Sequence, residues 1–300
     1  MNIKVSVIMN CYNGNVFLRE AISSILSQTY KNWELIFWDN QSTDDSKSIF
    51  KSYRDKRLKY FYSKKHTNLY DARNLAIAKS KGEILTFLDV DDIWLKNKLA
   101  LQVSLFKDKN VNLVYGNYLI KNQFTFYQKN KLGRQTKLPN GFITNELLKD
   151  YCIGLLTIGI RKNAIKKYKK IFNPNYNLIS DFDFVLNFSL KNKIKSTQSP
   201  VGIYRIHSNQ QQKKLFYKQA EDFCRWFSKI KKNIHFNTLS NFSILKERAV
   251  FFKYIEDIRK KNFFDNLFKI LKIKNFKTKT KLLIILFFRN LAIKYFIKIY

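Results

Sequence analysis

The feature that most constrains this chain is an alternation repeated through its first hundred residues. A short apolar run is followed by acidic or amide side chains, and then by a helical pattern. Val5 to Met9 reads as a buried strand, and Leu18, Ile22, Ile25 and Leu26 follow at helical spacing. Trp33 to Trp38 reads as a second strand, closed by the helix-start signature Ser42-Thr43-Asp44-Asp45. Leu58 to Tyr62 is a third strand. Asp71 to Lys79 has the composition of a helix, Gly82 closes it, and Ile84 to Leu88 is a fourth strand. Strands and helices in this order predict an α/β domain on a mainly parallel sheet. Ligands bind outside the carboxyl ends of such strands, so the residues just after each strand are the ones to inspect.

Those residues are polar in a consistent way. The first strand ends in Asn10-Cys11-Tyr12-Asn13-Gly14, the second in Asp39-Asn40-Gln41-Ser42, and the fourth in Asp89-Val90-Asp91-Asp92. Carboxylates gathered at a sheet edge repel one another unless a cation compensates. Mg²⁺ takes one or two protein carboxylates and fills its shell with water and phosphate oxygens, a task that suits Asp-x-Asp on a loop. The same residues could instead cap a helix beginning near Trp94. Other signatures are missing. There is no G-x-G-x-x-G, no phosphate-cradling G-x-x-x-x-G-K-[ST], no H-E-x-x-H and no G-x-S-x-G. Three widely spaced cysteines, Cys11, Cys152 and Cys224, make neither a disulfide framework nor a zinc knuckle.

The ordered set of motifs resembles the inverting, nucleotide-sugar-dependent glycosyltransferases of family 2, with the GT-A fold. The resemblance covers residues 3 to about 105. It rests on the first-strand motif through Asn13, on Ala21 to Tyr30, and on Trp33 to Ile36 leading to Asp39-Asn40-Gln41-Ser42-Thr43-Asp44. It continues through Asn68, Ala72-Arg73-Asn74, Lys81-Gly82-Glu83 and Phe87-Leu88-Asp89-Val90-Asp91-Asp92. The resemblance implies that Asp39 pairs with a nucleobase, most often uracil, and that Cys11, Tyr12 and Asn13 line the nucleoside pocket. It further implies that Arg73 faces the nucleotide, that Asp89 lies near the ribose or sugar, and that Asp91 holds Mn²⁺ or Mg²⁺ bridging the diphosphate. On the residues alone, Arg73 could equally pair with Asp71 or Glu83 on the surface.

Further along, Ser180-Asp181-Phe182-Asp183 stands where the family carries a Glu-Asp pair before an apolar helix. This implies Asp181 as the general base that deprotonates the acceptor hydroxyl, with Asp183 as the runner-up on the acceptor side. Either could instead be a helix N-cap. Tyr204-Arg205-Ile206-His207 is similar to the family's Tyr-Arg-x-His element, which implies that His207 completes the metal site or touches the diphosphate; a structural histidine is the alternative. Gly154, in Ile153 to Gly159, falls in the acceptor-side loop. Departures include Asn10-Cys11 for the commoner Pro-Thr, Asn40 for Asp, and Val185 for an acceptor-contacting Trp. His66 and His235 match nothing.

Charge bears on partners. The chain has 56 Lys and Arg against 22 Asp and Glu, a net +34, and the excess rises from +5 to +12 to +17 over successive thirds. A near-neutral catalytic part followed by a surface-binding part accounts for this gradient; coding bias toward lysine is the alternative. Nucleic acid is not expected as a partner, since only 11 of the 56 basic residues are Arg. The division expected is a GT-A domain over 1–210, nucleotide-binding over 1–105 and acceptor-side over 106–210, then a basic helical region over 211–300. In that region Ile284, Ile285, Phe288, Leu291, Ala292, Tyr295, Phe296 and Ile299 form one apolar stripe, with Arg289, Lys294 and Lys298 off it. Spanning a bilayer is disfavoured, because Arg289 and Lys294 would each cost roughly 2.5–3.5 kcal/mol near its centre. The stripe is expected to lie on an anionic membrane surface, helped by the lysines between 269 and 281, or to pack on the catalytic domain.

The expectation is therefore a cytoplasmic, peripheral glycosyltransferase of the bacterial polysaccharide type. Its partners would be a nucleotide-sugar, a saccharide or lipid-linked acceptor, and anionic lipid. A non-catalytic nucleotide- or glycan-binding module and a basic nucleic-acid binder are the alternatives.

Overall fold

The computed structural model describes residues 2–123, 131–208, 210, 215–273 and 276–287. Its contacts divide into two units. The first comprises residues 2–143, 152–175 and 184–207, and the second comprises 144–151, 176–183 and the described residues from 208 onward.

The first unit holds one sheet. Its strands are β1 (Val5–Cys11), β2 (Trp33–Asp39), β3 (Leu58–Tyr62), β4 (Ile84–Phe87), β5 (Ile93–Trp94), β6 (Val111–Asn122), β7 (Lys131–Leu132), β8 (Gly159–Arg161) and β9 (Lys193–Ile206). The order is β3-β2-β1-β4-β8-β6-β9-β5, with β7 on β6. The first four strands are parallel, and α1 (Asn15–Leu26), α2 (Ser46–Lys51) and α3 (Leu69–Ala78) connect them. β1 and β2 are buried on both faces and so show no polar alternation, and the Ser6 hydroxyl and Glu34 carboxylate inside them satisfy each other at 2.7 Å. Leu18, Ile22 and Ile25 of α1 are wholly buried, joining Val7, Met9, Leu35 and Phe37 in the core.

Beyond β4 the sheet changes character. β8 runs antiparallel to both β4 and β6, β6 and β9 are parallel, and β5 is antiparallel to β9. Parallel pairing thus continues beyond the first four strands, in the long β6–β9 ladder, with antiparallel pairs on either side of it. The alternative reading of the acidic loop, a cap on a helix beginning near Trp94, does not hold: Ile93–Trp94 is a strand paired with Ile203 and Gly202, and α4 (Lys98–Leu105) starts later. The Asp91 and Asp92 carboxylates therefore do not cap a helix there. α5 (Thr144–Lys149), α6 (Lys162–Ile165) and α7 (Ser180–Ser189) follow.

The remaining helices are α8 (Phe216–Ile230), α9 (Ile234–Asn237), α10 (Phe242–Lys260), α11 (Phe263–Leu271) and α12 (Phe276–Phe287). They close around aromatic rings such as Phe223, Trp226 and Phe252. In α12, Leu282 and Ile285 are wholly buried; of the two described members of the predicted apolar stripe, Ile285 is thus packed and Ile284 half-buried. Phe288, Arg289, Leu291, Ala292, Lys294, Tyr295, Phe296, Lys298 and Ile299 lie outside the described residues. Among the described residues no helix is long and apolar enough to cross a membrane.

Candidate active site

The ends of β4 and β9 converge in the first unit. The loop after β4 carries Asp89, Asp91 and Asp92, and the end of β9 carries Arg205 and His207. His207 Nε2 lies 3.0 Å from Asp91 Oδ2, and its ring lies 4.9 Å from that of Phe17. Arg205 is 2% exposed. Its backbone N–H donates to Asp92 Oδ1 (3.0 Å), its Nε to the Asp91 carbonyl (2.9 Å), and its guanidinium pairs with Glu20 (3.0 Å) and covers the Phe17 ring. Arg205 therefore pins the acidic loop from below while His207, two residues on, meets Asp91. The Arg205 hydrogen bond holds the Glu20 carboxyl below its usual range. Burial, reinforced by the neighbouring charges of Asp91 and Asp89, pushes the Asp92 carboxyl well above the usual carboxylate range.

Arg73, buried on α3, pairs with Asp89 at 2.6 Å rather than with Asp71 or Glu83. Asp71 pairs instead with Lys170, at 2.8 Å. Arg73 thus reaches the acidic loop from the helix after β3, and Asp89 sits beside a fixed cation.

The ends of β1 and β2 interlock. Asp39 is fully buried; its Oδ1 accepts from Ser42 N (2.7 Å) and its Oδ2 from the Tyr60 hydroxyl (2.7 Å). Burial and the adjacent Asp39 carboxylate raise the Tyr60 phenol. Each Asp39 oxygen keeps lone-pair capacity for a second donor. Cys11 is buried, and its carbonyl accepts from Asn40 N at 2.8 Å. Burial pushes its thiol up. Asn13 adopts a left-handed backbone (φ 53°), and its side-chain oxygen accepts from Thr43 N at 2.8 Å. Asn tolerates that region better than most residues. Tyr12 is half exposed, and its ring lies 4.4 Å from that of His66. His66 Nδ1 lies 2.9 Å from the Asn40 carbonyl, and Asn40 in turn grips Thr67. His66, given no role from the sequence, thus joins the ends of β1 and β2 through Tyr12 and Asn40; nothing in its local spacing signalled it. Gly14 lets the β1 and β4 loops approach: a Cβ there would lie 2.7 Å from Val90 Cγ2.

Asp181 and Asp183 lie in the second unit. α7 begins at Ser180, so both stand inside its first turn rather than before it. Asp183 Oδ1 accepts from Trp226 Nε1 at 2.8 Å. Gly154, in the first unit, precedes a 3₁₀ turn over Leu155–Thr157, and its carbonyl accepts from Thr157 N and Oγ1.

A sequence model of glycosyl transferase family 2 matches residues 6–169, more than half of the chain and all of the strand-end motifs through Asp92. The chain belongs to this family. Its relatives include the Escherichia coli UDP-Glc:alpha-D-GlcNAc-diphosphoundecaprenol beta-1,3-glucosyltransferase WfgD, 35% identical over 164 residues. That match takes in 55% of this chain and 62% of WfgD, so the chain covers less than two thirds of this relative's length. Among solved structures, the Pyrobaculum calidifontis mannosyltransferase PcManGT in complex with GDP-Man and Mn²⁺ superposes with a TM-score of 0.64 at 15% identity, over 99% of this chain and 86% of that one. S. aureus TarS 1-349 in complex with UDP-GlcNAc gives 0.61 at 18% identity, over 97% and 81%. Both are likenesses of fold, and both are met by this family 2 chain along nearly its whole length.

The donor set can be tested against a divalent cation. Asp91 offers a hard carboxylate oxygen, and His207 a neutral-imidazole nitrogen when deprotonated, 3.0 Å away. The carboxylate suits Mn²⁺ or Mg²⁺, and the imidazole favours Mn²⁺, since Mg²⁺ prefers oxygen ligands alone. Among the described residues no group of three or more His, Cys, Asp or Glu side chains could hold an ion. A cation here would need oxygens from water or a bound diphosphate to complete its shell, as a nucleotide-loaded site requires.

Proposed function

We propose that the chain is an inverting glycosyltransferase that moves a sugar from a UDP-sugar to a saccharide or lipid-linked acceptor in bacterial surface-polysaccharide assembly. The observation that carries this reading is the Asp91–His207 pair just beyond the carboxyl ends of β4 and β9, in a family 2 chain. WfgD, whose name gives a UDP-Glc donor and a diphosphoundecaprenol acceptor, supports the donor and acceptor classes.

In this reading Asp39 accepts the imide N–H of uracil, and Cys11, Tyr12 and Asn13 line the nucleoside pocket with His66 at the rim. Arg73 orients Asp89 toward the ribose or sugar. Asp91 and His207 would hold Mn²⁺ or Mg²⁺, which when bound would supply positive charge to the leaving diphosphate. Asp181 takes the proton of the acceptor hydroxyl. The acceptor oxygen bonds to the anomeric carbon as the bond to the diphosphate oxygen breaks, and UDP leaves with the electron pair. A single displacement from the opposite face inverts the anomeric centre. Gly154 and Asp183 belong to the acceptor side, over 106–210, and the basic helical region follows from 211.

We further propose a cytoplasmic, peripheral location on an anionic membrane surface. Phe264, Phe268 and Leu271 recur along α11 at i, i+4 and i+7, 68%, 64% and 49% exposed, with Phe276 exposed beyond them. Lys269 and Lys272 stand beside this stripe. Exposed aromatic residues with flanking lysines suit an interfacial helix on anionic lipid.

The test is a thermal-unfolding screen of nucleotide-sugars with Mn²⁺, followed by transfer to GlcNAc-diphosphoundecaprenol. Stabilisation by a UDP-sugar and chelator-sensitive transfer are expected. No stabilisation by any nucleotide, with steeply salt-dependent binding to duplex DNA, would replace this reading with the nucleic-acid one.

A further inference from the structure

We propose that α8 is a brace that aims the first turn of α7, with Asp222 and Trp226 as positioning residues for Asp181. The proposal rests on the reading of Asp181 as general base.

Three contacts within the second unit converge on the turn that carries Asp181. The first precedes it. Asp222 is a fully buried carboxylate, and its Oδ2 accepts from the backbone N–H groups of Asn177 and Leu178, the latter at 3.2 Å. The Asn177 side-chain amide also donates to it, and Arg225 balances its charge. The second contact is apolar. The Phe182 ring is buried with its centroid 4.9 Å from those of Trp226 and Tyr151. The third follows one residue later, where Trp226 Nε1 donates to Asp183 Oδ1 at 2.8 Å.

Residue 181 lies between these holds. Successive residues on an α-helix point about 100° apart. Fixing the backbone at 177–178 and the side chains of 182 and 183 therefore fixes the direction in which the Asp181 carboxylate leaves the helix. A buried carboxylate is a costly way to pack two elements, and an apolar side chain would serve for cohesion alone. What the carboxylate adds is direction, because its lone pairs set the orientation of two successive N–H groups. General-base catalysis has the same need, since a misplacement of 1 Å can cost about 100-fold in rate.

The experiment uses the full chain and UDP-glucose with GlcNAc-diphosphoundecaprenol as acceptor, reading kcat and KM beside calorimetric UDP affinity. Asp222→Ala is expected to lower kcat about 100-fold and Trp226→Phe about 10-fold, with UDP affinity within twofold of the parent. Asp222→Asn, which keeps an acceptor oxygen for the two N–H groups, is expected to restore most of the loss. If Asp222→Ala does not fold, Trp226→Phe decides, since it keeps a ring in the aromatic cluster and removes the indole N–H, and its melting temperature beside the parent's separates lost direction from lost packing volume. Wild-type kcat in the folded variants overturns the brace, as does a fall in UDP affinity equal to the fall in kcat. Asp181→Asn is measured alongside. Full activity in that variant overturns the base reading itself, whereas an inactive Asp181→Asn beside fully active brace variants overturns the brace alone.

Discussion

His207 Nε2 and Asp91 Oδ2 stand 3.0 Å apart although 116 residues separate them. The fold creates this meeting by pairing β5, just after the acidic loop, with the end of β9. If the pair holds the cation that stabilises the leaving diphosphate, Asp91→Ala and His207→Ala should each lower transfer by roughly 100-fold or more, the scale set by losing one transition-state charge stabiliser. EDTA should do the same to the parent, with restoration by Mn²⁺. Steady-state transfer kinetics check this, and undiminished activity in chelator contradicts it.

Gly14 → Ala should disturb the same loop from the other side. The backbone of Gly14 (φ −109°) accommodates alanine, so the effect is steric, from a Cβ 2.7 Å from Val90 Cγ2 and 3.1 Å from Cys11 Sγ. Overpacking of this kind costs about 1–3 kcal/mol. The variant should melt a few degrees lower and show a raised KM for donor. The double variant Gly14→Ala with Val90→Ala, which removes the clash, should recover most of both; no recovery would place the effect elsewhere.

Lys98 predicts a pH dependence of stability. It is fully buried, with Nζ donating to Thr86 Oγ1 and Gln102 Oε1 at 2.6 Å each and lying 4.0 Å from the Trp94 ring centre. Desolvation holds its pKa well below the ordinary lysine value. In the window between that depressed value and about 10.4, the unfolded chain binds the proton and the folded chain does not. Stability contributed by this site therefore rises with pH through the window, by at most about 1.4 kcal/mol per pH unit. Urea unfolding between pH 7 and 9 should show the parent gaining on Lys98→Met as pH rises. Parallel curves would contradict the assignment.

The exposed face of α11 makes a separate prediction. The parent should co-sediment with vesicles containing anionic phospholipid and be released by salt, because its lysine contribution is screened. Phe264→Ser with Phe268→Ser should weaken binding at least tenfold while leaving UDP affinity unchanged. Equal binding of parent and variant would remove α11 from the membrane reading.

Much of the first unit was legible because its strands are dense apolar runs closed by polar residues. Val5–Cys11 and Trp33–Asp39 declare themselves in this way, and so do the side chains that follow them. β5 was not legible: two residues carry no periodicity, and Ile93–Trp94 is a strand only because Gly202 and Ile203 arrive beside it. The pairing of Arg73 with Asp89, and not with the nearer Asp71, likewise depends on how α3 packs over the β4 loop. Lys98 reads as a surface charge in any local pattern, and only the fold buries it. Asp222 and Trp226 look like ordinary members of an amphipathic helix, since their partners at 177–183 lie some 45 residues upstream.

The most direct test of the account compares parent and Asp181→Asn in two measurements, calorimetric binding of UDP with Mn²⁺ and transfer from UDP-glucose to GlcNAc-diphosphoundecaprenol. A general base contributes about 10²–10⁴-fold. A loss of that size in transfer is expected, with UDP affinity within twofold of the parent. Transfer at the parental rate by Asp181→Asn, or a parent protein that binds no UDP, would contradict it.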